Sequence, residues 1–142
     1  MADIDMVTLA RRFALLPRLL SKRLDSQLEP FDVAVGSYPY LLAVFYNRGC
    51  SGQLIADKLR TDKAAVARAL QKLLAGGYLL RHKSPQNARQ WQLFCTEKGE
   101  EICRHVEELV RAELDEMMQP LNDQQKQQLA EIMSLLVAID QR

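Results

Sequence analysis

The side chains with chemistry to offer are cations, and they are unevenly spread. Between positions 48 and 89 stand nine basic residues (Arg48, Lys58, Arg60, Lys63, Arg68, Lys72, Arg81, Lys83 and Arg89) against two acidic ones, Asp57 and Asp62. The rest of the 142-residue chain is acidic, so 19 Lys and Arg nearly cancel 18 Asp and Glu and the formal charge is only +1. A one-signed cluster of this kind implies a face for a polyanion on an otherwise acidic body. Catalytic chemistry is not arranged for. There is no GxSxG, phosphate-cradling glycine loop or HExxH, and His82 and His105 fall in different segments, so the chain is not expected to be an enzyme. Cys50, Cys95 and Cys103 are odd in number, form no CxxC pair and have no ligand cluster around them; they read as small buried apolar residues. Neither a metal nor a cofactor is implied.

The elements that must position the cations follow from hydrophobic spacing. Residues 6–28 carry Leu9, Phe13, Leu16, Leu20, Leu24 and Leu28 three or four apart, an amphipathic helix in which Pro17 predicts a kink or break and Pro30 an end. The aromatic-rich stretch 36–47 reads as a short core helix. Ser51 can cap a helix to about Leu59 with Leu54, Ile55 and Leu59 inward, and Thr61 and Asp62 can open another whose stripe is Val66, Leu70, Leu73 and Leu74 until Gly76 and Gly77 stop it. Two short helices so close together form a helix-turn-helix. Residues 78–83 and 89–95 are strand-like runs around a Ser/Pro/Asn turn, and a hairpin directly after a helix-turn-helix is a wing. Thr96 caps a long helix to about Gln119; after Pro120, Asn122 opens a last one to about residue 140 with Leu129, Ile132, Leu136 and Ile139 in its stripe.

The expected fold is therefore mainly α with a small β-hairpin wing: one domain over 1–142, containing a winged helix-turn-helix at 36–95 flanked by N- and C-terminal helices at 6–28 and 97–140. The winged unit has a core of its own. The terminal helices need another partner for their apolar stripes, and a second copy of the chain is the simplest, which makes 6–28 and 97–140 a dimerisation region. No stretch approaches the roughly 20 apolar residues of a membrane span, and Asp3 and Asp5 at the start do not suit a secretory signal. A cytoplasmic homodimer without a membrane partner is the expectation.

On a helical wheel with Val66, Leu70 and Leu73 inward, Thr61, Ala64, Ala65, Arg68, Gln71 and Lys72 face outward. That face suits the major groove of double-stranded DNA: the Arg68 fork matches guanine O6 and N7, Thr61 and Gln71 could read bases or phosphates, and the alanines offer methyl contacts. Lys63, with Lys58, Arg60 and Lys72, would neutralise phosphates. Lys83 and Arg89 bracket the wing tip, where an arginine suits the negative minor groove.

Several stretches together resemble the MarR family of dimeric winged-helix transcriptional regulators. Residues 62–68, DKAAVAR, are similar to that family's D-K-S-T-V-T-R; residues 73–81, LLAGGYLLR, to its L-x-x-x-G-L-[VI]-x-R; and residues 94–99, FCTEKG, to its L-T-x-K-G. Its wing motif D-x-R stands here as Asn87-Ala88-Arg89, without the aspartate that supports the wing, and Arg60 stands where a turn glycine is frequent. The resemblance implies a homodimer on a pseudo-palindromic operator, usually as a repressor, released when a small aromatic or anionic ligand enters a cleft between the dimer helices and the winged unit. Arg11, Arg18, Lys22, Tyr38, Tyr40 and His105 are the candidates to line it. That family also holds peroxide sensors with a cysteine in the first helix, but no cysteine precedes Cys50 here. Two other readings stay open on the residues alone: a winged module that docks an acidic protein, and redox sensing through Cys50, Cys95 or Cys103.

Overall fold

The computed structural model describes residues 3–29 and 37–139, so Pro30, Gly36 and Asp140 of the expected boundaries lie outside the described residues. The elements run α1 (Met6–Leu28), α2 (Tyr38–Tyr46), α3 (Gly52–Leu59), α4 (Lys63–Ala75), β1 (Leu79–Lys83), β2 (Trp91–Cys95), α5 (Glu97–Met117) and α6 (Asp123–Ile139). This is a mainly helical winged-helix fold with a two-stranded hairpin and flanking N- and C-terminal helices.

Every helix start but that of α2, which has Pro39 in its first turn instead, is set by a side chain that satisfies an otherwise orphaned N–H, a contribution of about 1 kcal/mol apiece. Asp5 accepts from the Val7 amide at 3.1 Å, Ser51 from Leu54 at 3.2 Å, Asp62 from Ala65 at 2.8 Å and Thr96 from Gly99 at 3.1 Å. Asn122 and Gln125 close a reciprocal box at the head of α6, with bonds of 2.8 and 3.0 Å.

Two expectations are corrected. Pro17 does not break α1, which continues through it. The Phe13 carbonyl that loses its partner belongs to an exposed stretch, where water can replace the missing N–H. Leu59 is not inward: it is 36% exposed, because α3 ends there and Arg60 turns the chain away in a left-handed conformation (φ +50°). Ala56 takes the buried place beside Ile55. The strands are also shorter than the apolar runs, leaving 84–90 as a polar loop, and α5 stops at Met117.

The core has two parts. The larger gathers Leu41 and Val44 of α2, Ile55 of α3, Val66, Leu70 and Leu73 of α4, Leu79 and Leu93 of the hairpin, and Cys103 of α5. Residue 93 also bridges Cys50 on its far edge, which ties the base of the wing to the segment after α2. The smaller joins Leu24 and Leu28 of α1 to Val106 of α5, all but fully buried, each contributing about 1.5–3 kcal/mol. Beside it, Glu113 is buried on α5 and accepts from Arg23 at 3.0 Å and from the Gln27 amide; Arg23 also lies 3.1 Å from Glu116. The C-terminal half of α1 is thus pinned to α5. Its N-terminal half is not: Met6, Val7, Phe13, Leu15 and Leu16 stand more than half exposed, and α6 buries none of its residues.

The joint between the recognition end and the long helix is a short polar staple. Thr96 donates its hydroxyl to the Gly77 carbonyl at 2.6 Å, its amide bonds the Tyr78 carbonyl at 3.0 Å, and Lys98 donates to the Gly76 carbonyl at 2.8 Å while its ammonium sits 4.3 Å from the centre of the Tyr78 ring. Gly99 makes the approach possible, since a Cβ there would stand 2.1 Å from the Tyr78 carbonyl oxygen. Gly77 differs: it needs glycine for its φ of +80° and has open space around it. Gly99→Ala should therefore cost about 3 kcal/mol or more by forcing backbone apart, and Gly77→Ala only about 1–2 kcal/mol for the left-handed turn. Urea midpoints at one fixed protein concentration check the order; equal losses would contradict the close approach.

Candidate nucleic-acid interface

The second helix of the helix-turn-helix presents the expected outer face. Lys63, Ala64, Arg68, Gln71 and Lys72 are exposed on α4, with Thr61 and Ala65 half-buried at its start, while Val66, Ala69, Leu70 and Leu73 are buried on the opposite side. Among the described residues Lys63, Arg68 and Lys72 form no ion pair, so their donors are open to an external anion. Asp62, the nearest acid, is spent on the helix cap. Arg60 holds φ +50° as the last cap of α3, a conformation that costs a side chain about 1–2 kcal/mol relative to glycine. Such strain persists where the side chain has a use or its surroundings enforce it.

The wing carries its cations at and below its tip. Lys83 closes β1, and Asn87 and Arg89 lie exposed in the loop. Asn87 Oδ1 accepts from the Arg89 amide at 3.1 Å and its carbonyl from Gln90 at 3.0 Å, while Gln90 in turn accepts from Ser84 at 2.9 Å. The asparagine thus shapes the tip through backbone bonds. Trp91, which spacing alone did not single out, holds Arg81 and Lys83 against its ring, at 4.4 and 5.6 Å from the centroid. The signal was available in the pairing of the strands, since Lys83 stands directly opposite Trp91.

The six residues proposed for a ligand cleft are placed as follows. Arg11, Arg18 and Lys22 are exposed on α1, Tyr38 is half-buried where the two core clusters meet, Tyr40 packs on the larger cluster, and His105 is half-buried on α5. No group of three or more metal-binding side chains occurs among the described residues, and no described helix is long and apolar enough to cross a membrane.

The cysteines converge although the sequence separates them. Cys50 and Cys103 are buried and Cys95 is half-buried. The Cys95 thiol lies 3.9 Å from the Leu41 carbonyl; its interaction with the Cys103 side chain lowers Cys95 from the ordinary thiol value, the same interaction and burial push Cys103 well above it, and burial raises Cys50. In the native protein iodoacetamide should therefore label Cys95 first and leave Cys50 and Cys103 until the chain unfolds. Peptide mass mapping checks the order, and early labelling of Cys103 would contradict it.

The comparisons with known proteins agree with this geometry. Residues 37–91, which hold α2 to the head of β2, match the model of the MarR family. The HTH-type transcriptional regulator BilQ of Clostridioides difficile (strain CD3) is 32% identical over 82 residues, which cover 58% of this chain but only 55% of that relative. In fold, a MarR transcriptional regulator from Methanosarcina mazei Go1 superposes with a TM-score of 0.87 at 22% identity, covering 94% of this chain and 96% of its own. A MarR family regulator from Listeria monocytogenes, solved complexed with 26mer DNA, gives a TM-score of 0.86 at 20% identity over 97% of this chain and 89% of that one. The chain thus has the fold of MarR regulators, and its residues 37–91 resemble the MarR family of helix-turn-helix transcriptional regulators, the motifs at 62–68 and 73–81 falling on α4 and its exit into β1.

Proposed function

We propose that this chain is a sequence-specific DNA-binding regulator of transcription, without enzymatic activity, acting as a cytoplasmic homodimer on a pseudo-palindromic operator and most simply as a repressor. The observation that carries it is the exposed, unpaired cationic face of α4 beside a cationic wing. Helix width and groove width match, so α4 would lie in the major groove with Arg68 at a guanine edge and Lys63 and Lys72 on phosphates, while Arg89 reaches the adjacent minor groove. The Listeria relative supports this reading, because it carries the same fold and was solved on DNA. The winged unit at 36–95 would make the contacts and the terminal helices the dimer.

Support for the dimer comes from what the single chain leaves uncovered. On α6, Leu135 and Ile139 are 71% and 60% exposed, and Ile132, Met133 and Val137 more than half. An open recess of about 400 Å³ lies against Met133, Ser134, Val137 and Ala138. The apolar N-terminal half of α1 is likewise uncovered, and a second copy of the chain, with a standard interface of roughly 800 Å² per partner, would take such residues out of water. A small aromatic anion settling near the cationic side of α1, at Arg11, Arg18 and Lys22, would then change operator affinity only through its preference for one spacing of the two α4 helices.

Two experiments test these parts separately. In anisotropy titrations of a duplex from the region upstream of its own gene, Arg68→Ala should weaken binding by about 1–3 kcal/mol and relax the preference over random DNA. Lys63→Ala or Lys72→Ala should weaken both duplexes alike and reduce the salt slope by about 1. Wild-type protein that binds both duplexes equally would overturn the sequence-specific reading. In light scattering, the wild-type chain should be a dimer and the double variant Leu136→Glu, Ile139→Glu a folded monomer; a wild-type monomer at micromolar concentration would overturn the dimer.

A further inference from the structure

The wing is a cationic hairpin with no acid in it. Residues 79–95 include Arg81, Lys83 and Arg89 but neither Asp nor Glu, and the aspartate expected from the family pattern is Asn87, whose side chain is engaged by the Arg89 amide. Like charges two residues apart on one face of a strand repel each other, and nothing anionic in the hairpin offsets them. What stands there instead is an aromatic ring. Trp91 is paired with Lys83 across the two strands, and its 41% exposed indole takes the Arg81 guanidinium 4.4 Å from its centroid and the Lys83 ammonium 5.6 Å away. The negative face of the ring attracts both cations without neutralising either. A guanidinium drawn to a ring face keeps its charge and its N–H donors, with which arginine can take a phosphate through two bonds. Two cations are thus held in place, still charged, below the wing tip.

We propose that Trp91 is a positioning residue for a second phosphate-binding site just below the wing tip, in which Arg81 and Lys83 grip a backbone phosphodiester flanking the groove entered by Arg89. The site rests on the reading of the chain as a DNA-binding protein and adds to it. The indole makes the grip rigid before DNA arrives, so that less side-chain freedom is lost on binding than for free Arg and Lys.

Trp91 is the only tryptophan of the chain, so its own fluorescence reports on the site. Without DNA, iodide, an anion, should quench Trp91 more strongly than neutral acrylamide does, and the double variant Arg81→Gln, Lys83→Gln should remove that excess. With the upstream duplex, Trp91→Ala should weaken binding about five- to tenfold and lower the salt slope by about 1–2, while Trp91→Phe, which keeps a ring face, restores affinity to within about threefold of wild type. Equal thermal melting of the three proteins shows that the wing change is local. An unchanged salt slope in Trp91→Ala, or no excess of iodide quenching, overturns the site. If Arg68→Ala weakens binding while Trp91→Ala does not, this inference alone falls; if the wild-type protein binds no duplex, the DNA-binding reading falls with it.

Discussion

The approach of Gly99 to the Tyr78 carbonyl is the constraint on which the other placements depend. A helix can rest its first turn directly on a backbone carbonyl only where a residue has no Cβ, and Thr96 and Lys98 just before Gly99 use that nearness to satisfy three carbonyls at the exit of α4. The recognition helix, the start of the wing and the long helix α5 thereby share one joint. At the other end of α5, buried Glu113 holds Arg23 and Gln27 of α1. A chain of short polar contacts therefore runs from the N-terminal helix to the exit of α4.

The even formal charge conceals a division of labour. Nine cations against two acids occupy the helix-turn-helix and the hairpin, and the acidic excess falls on the flanking segments. On α4 the cations are exposed and unpaired, whereas Arg23 on α1 is consumed by Glu113 and Glu116. The two surfaces differ in what they lack: the winged unit needs counter-charge, and the N-terminal half of α1 and all of α6 need apolar cover. A nucleic acid and a second copy of the chain would meet these needs independently. The acidic body would also turn the wrong face away from phosphates.

Much of this was legible in the residues themselves. Caps at Ser51, Asp62, Thr96 and Asn122 are local chemistry, and the helix starts they set appear where spacing placed them. The outer face of α4 was readable because its inner face, Val66, Leu70 and Leu73, has an unambiguous period. Leu59 was misjudged because a wheel assumes that the helix continues, and here it turns at Arg60. Of the kink or break expected at Pro17 the break does not occur, because proline costs a helix less where water can reach the freed carbonyl. Glu113 and the convergence of the cysteines were not legible at all. They depend on register and on contacts between elements far apart in sequence, which no local pattern encodes.

The central claim is that a pair of α4 helices enters two successive major grooves with Arg68 at a guanine. Dimethyl sulfate protection of the DNA upstream of the gene tests it most directly, because the reagent methylates guanine N7, the atom the arginine fork would cover. The account predicts two protected guanine positions related by a twofold axis and separated by about one helical turn, roughly 10 base pairs, each becoming accessible again with Arg68→Ala. Uniform weak protection along the duplex, or protection that survives the loss of Arg68, would contradict it.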